Sequence, residues 1–303
     1  MKNMHVNLVN TLTFILHHPL VMGARWRTLW RWMAWQISSF LLKVPVIVPW
    51  VNGSRLIIKK GMAGATGNYY CGLHEFADMG FLLHYLGAGD LFLDLGANVG
   101  SYTVLAAGVS KARVVSVEPI PSTFRLLADN IRVNAIEDLV QSKNVGLGDE
   151  TGELRFSSDM DAENHVLGSV DQDHAAGVLV PVVRLDDLVS GLAPAMIKLD
   201  VEGYESAVLF GGERTFGMSS LRVVLIEING AGARYGYKDE DIRHKFRAWG
   251  FEACQYDPLT RLLCNVEDEV ASQSGNTLYV RGVADVQKKL KLAKPFQVMG
   301  RSI

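Results

Sequence analysis

A chain of 303 residues with 49% hydrophobic content can bury a large core in one or two domains, which excludes a disordered or fibrous protein. Its formal net charge of −2 and pI near 6.5 leave no overall basic footprint, so nucleic acid is not expected as a partner. Cys71, Cys254 and Cys264 are odd in number and lack C-x-x-C spacing, which argues against a disulfide scaffold or structural zinc and fits a reducing cytoplasm.

At the N-terminus, VNTLTFILHHPLVM looks partly like a signal-peptide core, but His17, His18 and Pro19 interrupt it and no small-residue cleavage site follows, so it reads as retained. The next stretch, RWRTLWRWMAWQISSFLL, predicts a helix, with Trp26, Leu29, Trp30, Met33, Ile37, Phe40 and Leu41 at helical spacing. Packing of that face on the main domain is the commoner use of such a helix. Arg25, Arg27 and Arg31 beside the aromatics suit peripheral membrane contact as the alternative. No run reaches the roughly 18 to 20 apolar residues of a spanning helix. Two β-like runs, VPVIV and RLIIK, precede the Gly-rich GMAGATGN, and LHEFADMGFLLHYLG predicts a helix stopped at Gly87. These signals divide the chain into an extension, 1–71, a main domain, 72–285, and a C-terminal tail, 286–303.

From residue 91 strand and helix patterns alternate. LFLDL, RVVSVE, LVQSKNV, AMIKLDV and LRVVLIEI read as strands separated by segments such as PSTFRLLADNIRVN and YESAVLFGG. With FEACQY and NTLYVR as a closing pair they predict an α/β fold: a doubly wound, mostly parallel, seven-stranded sheet. Such sheets bind ligands beyond the C-terminal ends of their strands. Between residues 149 and 184, GELRFSS and VLVPVVR look like strands around the polar loop DMDAENHVLGSVDQDHAAG, either a lid or a solvated insertion.

The first chemical motif is FLDLGANVGSYT. Gly96 and Gly100 mark a strand-to-helix turn whose backbone can approach a ligand. A dinucleotide fold wants G-x-G-x-x-G, whereas Asn98 stands where the second glycine would be, so a pyrophosphate is poorly served. Asp94 would favour a cation or amino group, which suits S-adenosylmethionine. Glu118 ends the second strand 22 residues after Gly96, where a carboxylate can accept from both ribose hydroxyls, and Pro119 stops that strand. Asn144, after the third strand, is an adenine-side contact or a turn former.

In their order, LFLDLGANVGSYTVLAA, VEPIPSTFRLLADNIRVN, GLGDETGELRF, VRLDDL, IKLDVEGYE and VLIEING resemble the FkbM-type methyltransferases, a branch of the class I S-adenosylmethionine-dependent enzymes. The resemblance covers residues 90–230, with RLIIKKGMAGATGNYYCGLHEFADMGFLLHYLGAGD similar to the family's lead-in. It implies a Rossmann-like fold and methyl transfer to a hydroxyl of a sugar, glycoconjugate or secondary metabolite. By position it implies cofactor contacts from Asp94, Gly96, Asn98, Gly100 and Glu118, with Ala97, Ser101, Pro119 and Asn144 completing the expected set.

IKLDVEGYE then acquires a meaning. Lys198, Asp200 and Glu202 share strand parity, and Gly203 turns the chain into a helix, so the two acids should emerge at the rim of the fourth strand. Glu227 and Asn229 should reach the same rim from the fifth. Glu202 or Asp200 is expected as the base for a sugar hydroxyl, with Glu227 as neighbour. Each acid also has a structural reading, because Lys198 can pair with Asp200 or Glu205. Glu205 suits the N-terminus of the following helix. His165, in the polar loop, is expected to be solvated, with proton donation from a lid as the alternative. No residue is assigned as a metal ligand, although Asp200, Glu202, Glu227 and Asn229 offer hard oxygens that suit magnesium. Two alternatives stay open: a non-catalytic S-adenosylmethionine-binding module for protein or membrane interaction, and, more weakly, a nicotinamide oxidoreductase. The oligomeric state does not follow from the sequence.

Overall fold

A computed structural model describes residues 11–23, 25–42, 44–157, 164–167, 177–268 and 275–303. Most of the polar loop expected as a lid or a solvated insertion, 158–163 and 168–176, lies outside the described residues.

Helix α1 (Arg25–Leu42) precedes the hairpin β1 (Val46–Pro49) and β2 (Arg55–Ile58), then α2 (Ala63–Cys71) and α3 (Phe76–Tyr85). The central sheet begins at β3 (Leu91–Leu95), continues through β4 (Arg113–Val117) and β5 (Val140–Lys143), and then resumes on the other side of β3 with β9 (Met196–Leu199) and β10 (Val223–Glu227). These five strands are parallel, and β3 and β9 are buried along their whole length. Such burial on both faces is why LFLDL and MIKL read as nearly continuous apolar runs and not as alternating ones.

β13 (Asn276–Val280) joins β10 antiparallel and pairs with β11 (Glu252–Asp257), as expected for a closing pair. An eighth strand that the sequence did not suggest, β12 (Leu262–Asn265), extends the edge by pairing with β11. It is too short and too exposed to carry a clear alternation. A separate small sheet holds β6 (Gly146–Gly148), β7 (Gly152–Ser157) and β8 (Gly177–Arg184); β7 and β8 are the two strands expected around the polar loop.

One apolar cluster runs through all three expected parts of the chain, joining Leu56 and Ile58 of the extension, Phe81 and Val104 of the main domain, and Val298 and Ile303 near the C-terminus. The helix Val283–Lys291 crosses residue 285, and buries Val286 and Leu290. The residues read as a tail therefore finish a helix and add the short hairpin β14 (Gln297–Val298) and β15 (Arg301–Ser302). Val286 and Leu290, one turn apart, form the buried face of that helix, and Lys288, Lys289 and Lys291 its exposed one. The expected packing face of α1 is corrected as well: Trp26, Trp30, Met33, Ile37, Phe40 and Leu41 point outward, while Thr28, Trp35 and Ser39 are buried.

Candidate active site

The strand order reverses between β4 and β9, on either side of β3, and a cavity of about 300 Å³ opens there beyond the strand ends. Asp94, Gly96, Ala97, Asn98, Ser101, Glu118 and Pro119 line it from β3, β4 and the turns that follow; Lys198, Asp200 and Glu202 line it from β9. Gly100, Asn144 and Glu227 do not form part of that lining.

The glycines serve packing more directly than ligand approach. A Cβ on Gly96, at φ +80°, would sit 1.7 Å from the backbone oxygen of Asp200, and one on Gly100 would sit 2.5 Å from Leu127 Cδ1. The missing side chain at Gly96 thus lets the ends of β3 and β9 meet, and that at Gly100 lets the turn pack on Leu127 of the helix Pro121–Val133. Asn144 donates through Nδ2 to the carbonyls of Glu118 and Pro119, at 2.8 and 2.9 Å, so its side chain ties the turn after β4 in place of the expected adenine contact.

Asp94 is almost wholly buried. Register places it beside Lys198 on one side and Ser116 on the other, and its Oδ2 accepts from Thr103 Oγ1 at 2.6 Å. Its Oδ1 has no hydrogen-bond partner among the described residues. A buried, unpartnered carboxylate oxygen on a cavity wall calls for a donor from a ligand. Glu118 accepts from the backbone N–H groups of Asn98 (3.0 Å) and Ile120 (2.9 Å), and burial pushes it up to about 7 in spite of them.

At the opposite wall Lys198 donates to Asp200 Oδ2 at 2.7 Å and stands 5.0 Å above the Tyr102 ring. Burial opposes its charge, but Asp200, with Glu75 and Asp94, outweighs this and holds its pKa above the ordinary lysine value. Carboxylate oxygens of Asp200, Glu202 and Glu227 all lie within 4.8 Å of one another. Glu227 is pushed up to about 7 by burial and then by the charge of Asp200. Asn229 does not add a free oxygen to this cluster, since its Oδ1 accepts the N–H of Ala231 at 2.9 Å.

Glu202 adopts φ +56°, followed by Gly203 at +95°. A left-handed glutamate costs about 1 kcal/mol and persists only where its surroundings enforce it. Glu205 supplies part of that enforcement: its Oε1 accepts from the backbone N–H groups of Val201 (3.1 Å) and Gly203 (3.2 Å). The turn-bracing role of Glu205 is therefore more specific than charge at the start of the helix Glu205–Gly211.

Across known protein families, residues 94–253, more than half of the chain, match the methyltransferase FkbM domain. The chain belongs to the FkbM methyltransferase family. Hexuronic acid methyltransferase AglP of Haloferax volcanii is 30% identical over 143 residues, which cover 46% of this chain and 56% of AglP. A ribosomal protein L11 methyltransferase of Syntrophomonas wolfei is 29% identical over 112 residues, covering 35% of this chain and 33% of its own. The match thus spans about half of the first relative and a third of the second. A solved RNA methyltransferase from Salinibacter ruber, in complex with S-adenosyl-L-homocysteine, aligns with a TM-score of 0.35 at 15% identity, over 68% of this chain and 89% of its own.

The FkbM domain is a class I, S-adenosylmethionine-dependent methyltransferase domain, and its sheet has the expected Rossmann-like order. The cavity also uses residues that precede the matched segment. Met62, Ala65, Asn68, His74 and Glu75 contribute to its wall. Asn68 Nδ2 donates to Ser101 Oγ at 3.2 Å, and Tyr102 Oη donates to Glu75 Oε2 at 2.8 Å. Asn276 Nδ2 bridges Glu75 and Asp78, at 2.9 and 3.0 Å. One sequence signal for Glu75 existed: it is the first acidic residue in the chain. His165, expected to be solvated, is instead buried, with its N–H on Ser157 Oγ at 3.1 Å; its neighbours Asn164 and Val166 line the cavity.

These buried acids predict an unusual pH dependence. Glu118, Glu205 and Glu227 are raised from an ordinary value of 4.5 to about 7, chiefly by burial. Between those values these glutamates, and Asp78 with them, bind more protons in the folded chain than in the unfolded one, so their contribution to stability falls as pH rises, the reverse of an ion-paired carboxylate, and it outnumbers the opposite contribution of buried His18 and His84, each lowered to about 4. The melting temperature without ligand should drop by roughly 5 °C between pH 5.5 and pH 8 in a scanning-calorimetry series. A rise over that range would show that these groups ionise normally.

Proposed function

We propose that this FkbM-family chain is an S-adenosylmethionine-dependent O-methyltransferase acting on a hydroxyl of a saccharide, glycoconjugate or other small metabolite. The observation that carries this reading is one cleft with two chemistries: an unpartnered Asp94 oxygen and Glu118 on one wall, and the Asp200 and Glu202 carboxylates on the other, with Glu227 beside them in the same cluster but outside the lining. The first wall fits the cofactor, with Asp94 placed for its ammonium group and Glu118 for its ribose hydroxyls. When bound, S-adenosylmethionine supplies an electrophilic methyl group on a sulfonium.

The chain's own residues then have separable tasks. Glu202 accepts the proton that the acceptor hydroxyl releases as its oxygen is methylated. Glu205 braces the turn that aims Glu202, and Lys198 holds Asp200 beside it. Glu227, titrating near neutral pH, shares the cluster's proton. Positioning supplies much of the rate in such a displacement. The name of AglP supports a sugar acceptor. Three carboxylates against one ammonium at this rim favour an uncharged saccharide over a uronate.

Asp94→Asn should weaken S-adenosylhomocysteine binding by roughly 10 to 100-fold in a calorimetric titration, the range expected for a charge-assisted hydrogen bond. Unchanged affinity would remove Asp94 from the cofactor site. Transfer of labelled methyl groups to a panel of neutral sugars and glycoconjugates tests the whole reading; no methylated product from any of them would favour the non-catalytic alternative.

The close approach of the Asp200, Glu202 and Glu227 oxygens supports a second reading, in which they hold a magnesium ion that binds the acceptor's hydroxyls and lowers their pKa. Methyl transfer that persists after thorough chelation excludes it.

A further inference from the structure

We propose that the outer face of α1 docks on an anionic lipid bilayer. Trp26, Trp30, Met33, Ile37 and Phe40 follow one another in steps of three and four residues, which forms one stripe along a helix. A stripe of that kind ordinarily belongs to the core. Here Trp26 is 85% exposed, and Trp30, Ile37, Phe40 and Leu41 are between 64% and 70% exposed. Met22, Val44 and Ile47, just outside the helix, are more than half exposed too.

The opposite side of α1 is the one that packs. Trp35 stands 6.1 Å from the Tyr69 ring of α2, and Gln36 Nε2 donates to Tyr70 Oη at 3.5 Å. The helix is therefore held to the body by its less apolar side, and its most apolar side faces outward. A contiguous apolar surface of this kind marks an interaction site, because water solvates it at a cost of about 25 cal/mol per Å².

Charge selects the occupant. Residues 1–74 contain eight Lys or Arg and no Asp or Glu, while the other 22 basic residues share 75–303 with all 32 acids. An anionic surface would attract the basic lead and repel the acidic body, which both binds the chain and orients it. Exposed Arg25 and Arg27 begin α1, and Arg31 lies 6.0 Å from the Tyr69 ring. Guanidinium groups beside tryptophans match the phosphate and acyl boundary of a bilayer, where amphipathic rings are stable. Among the described residues no helix is long and apolar enough to cross a membrane, so α1 would lie in the plane of the surface. A second copy of the chain is a poorer fit, since it would bring two acid-free, arginine-bearing segments together.

The test uses the full chain and co-sedimentation with phosphatidylcholine vesicles, with or without about 30 mol% phosphatidylglycerol. Binding should be at least about tenfold stronger with the anionic lipid and should weaken in high salt. The double variant Trp30→Glu with Ile37→Glu, at two exposed positions, should lose that binding by about tenfold or more while keeping its melting temperature. Failure of the parent chain to bind vesicles overturns the proposal, and equal binding to neutral and anionic vesicles overturns its electrostatic basis. Concentration-dependent dimerisation that the double variant abolishes, without vesicle binding, assigns the face to a second copy. None of these readouts depends on methyl transfer.

Discussion

Glu202→Gln should lower the rate of methyl transfer by roughly 10² to 10⁴-fold while leaving S-adenosylhomocysteine affinity within about threefold of the parent. Glutamine keeps the size and the backbone conformation of the residue and removes only its capacity to take a proton. The φ of +56° is as costly for glutamine as for glutamate, so stability should change little. Asp200 is the alternative base, and its Oδ2 accepts from Lys198. Glu227 is the informative control: it sits in the same cluster but outside the cavity lining. Full activity in Glu202→Gln with a large loss in Glu227→Gln would move the base to Glu227. Single-turnover rates, with cofactor affinity measured separately, distinguish the two.

Gly96→Ala should destabilise the chain by about 3 kcal/mol or more and abolish cofactor binding. The added Cβ would lie 1.7 Å from the Asp200 carbonyl oxygen and 2.8 Å from its carbon, in a backbone conformation that already disfavours a side chain. Relief requires β3 and β9 to part at Leu95 and Leu199, which would carry Asp200 and Glu202 away from the cavity. Gly191→Ala provides the matched control. Its φ of +77° imposes a similar backbone penalty, but no atom lies within 4 Å, so its cost should stay near 1 kcal/mol. Urea unfolding of both variants measures the difference, and equal midpoints would show that contact between the strand ends does not matter.

Some of the site was legible because strand chemistry is local. Asp94, Gly96 and Glu118 stand at the ends of apolar runs whose period and length identify buried parallel strands, and their spacing points to a nucleoside-bearing ligand without any tertiary information. The register beside them was not legible. That Asp94 neighbours Lys198 depends on how β3 and β9 pair across roughly a hundred residues of chain, and no local pattern encodes that alignment. Asn144 shows the same limit, since a polar side chain after a strand can face a ligand or a backbone turn, and only the position of Glu118 and Pro119 decided for the turn.

By itself the sequence determined the alternation of strands and helices, the order of the cofactor-type motifs and the family, because hydrophobic period, turn glycines and strand-end acids are properties of short segments. Tertiary structure alone decided which surfaces of those segments meet. It turned the tryptophan stripe of α1 outward, drew Glu75 of the lead-in into the cavity wall, and made residues 286–303 part of the core. An amphipathic pattern records that a face is apolar, but what covers that face depends on area and charge contributed by residues far away in the chain.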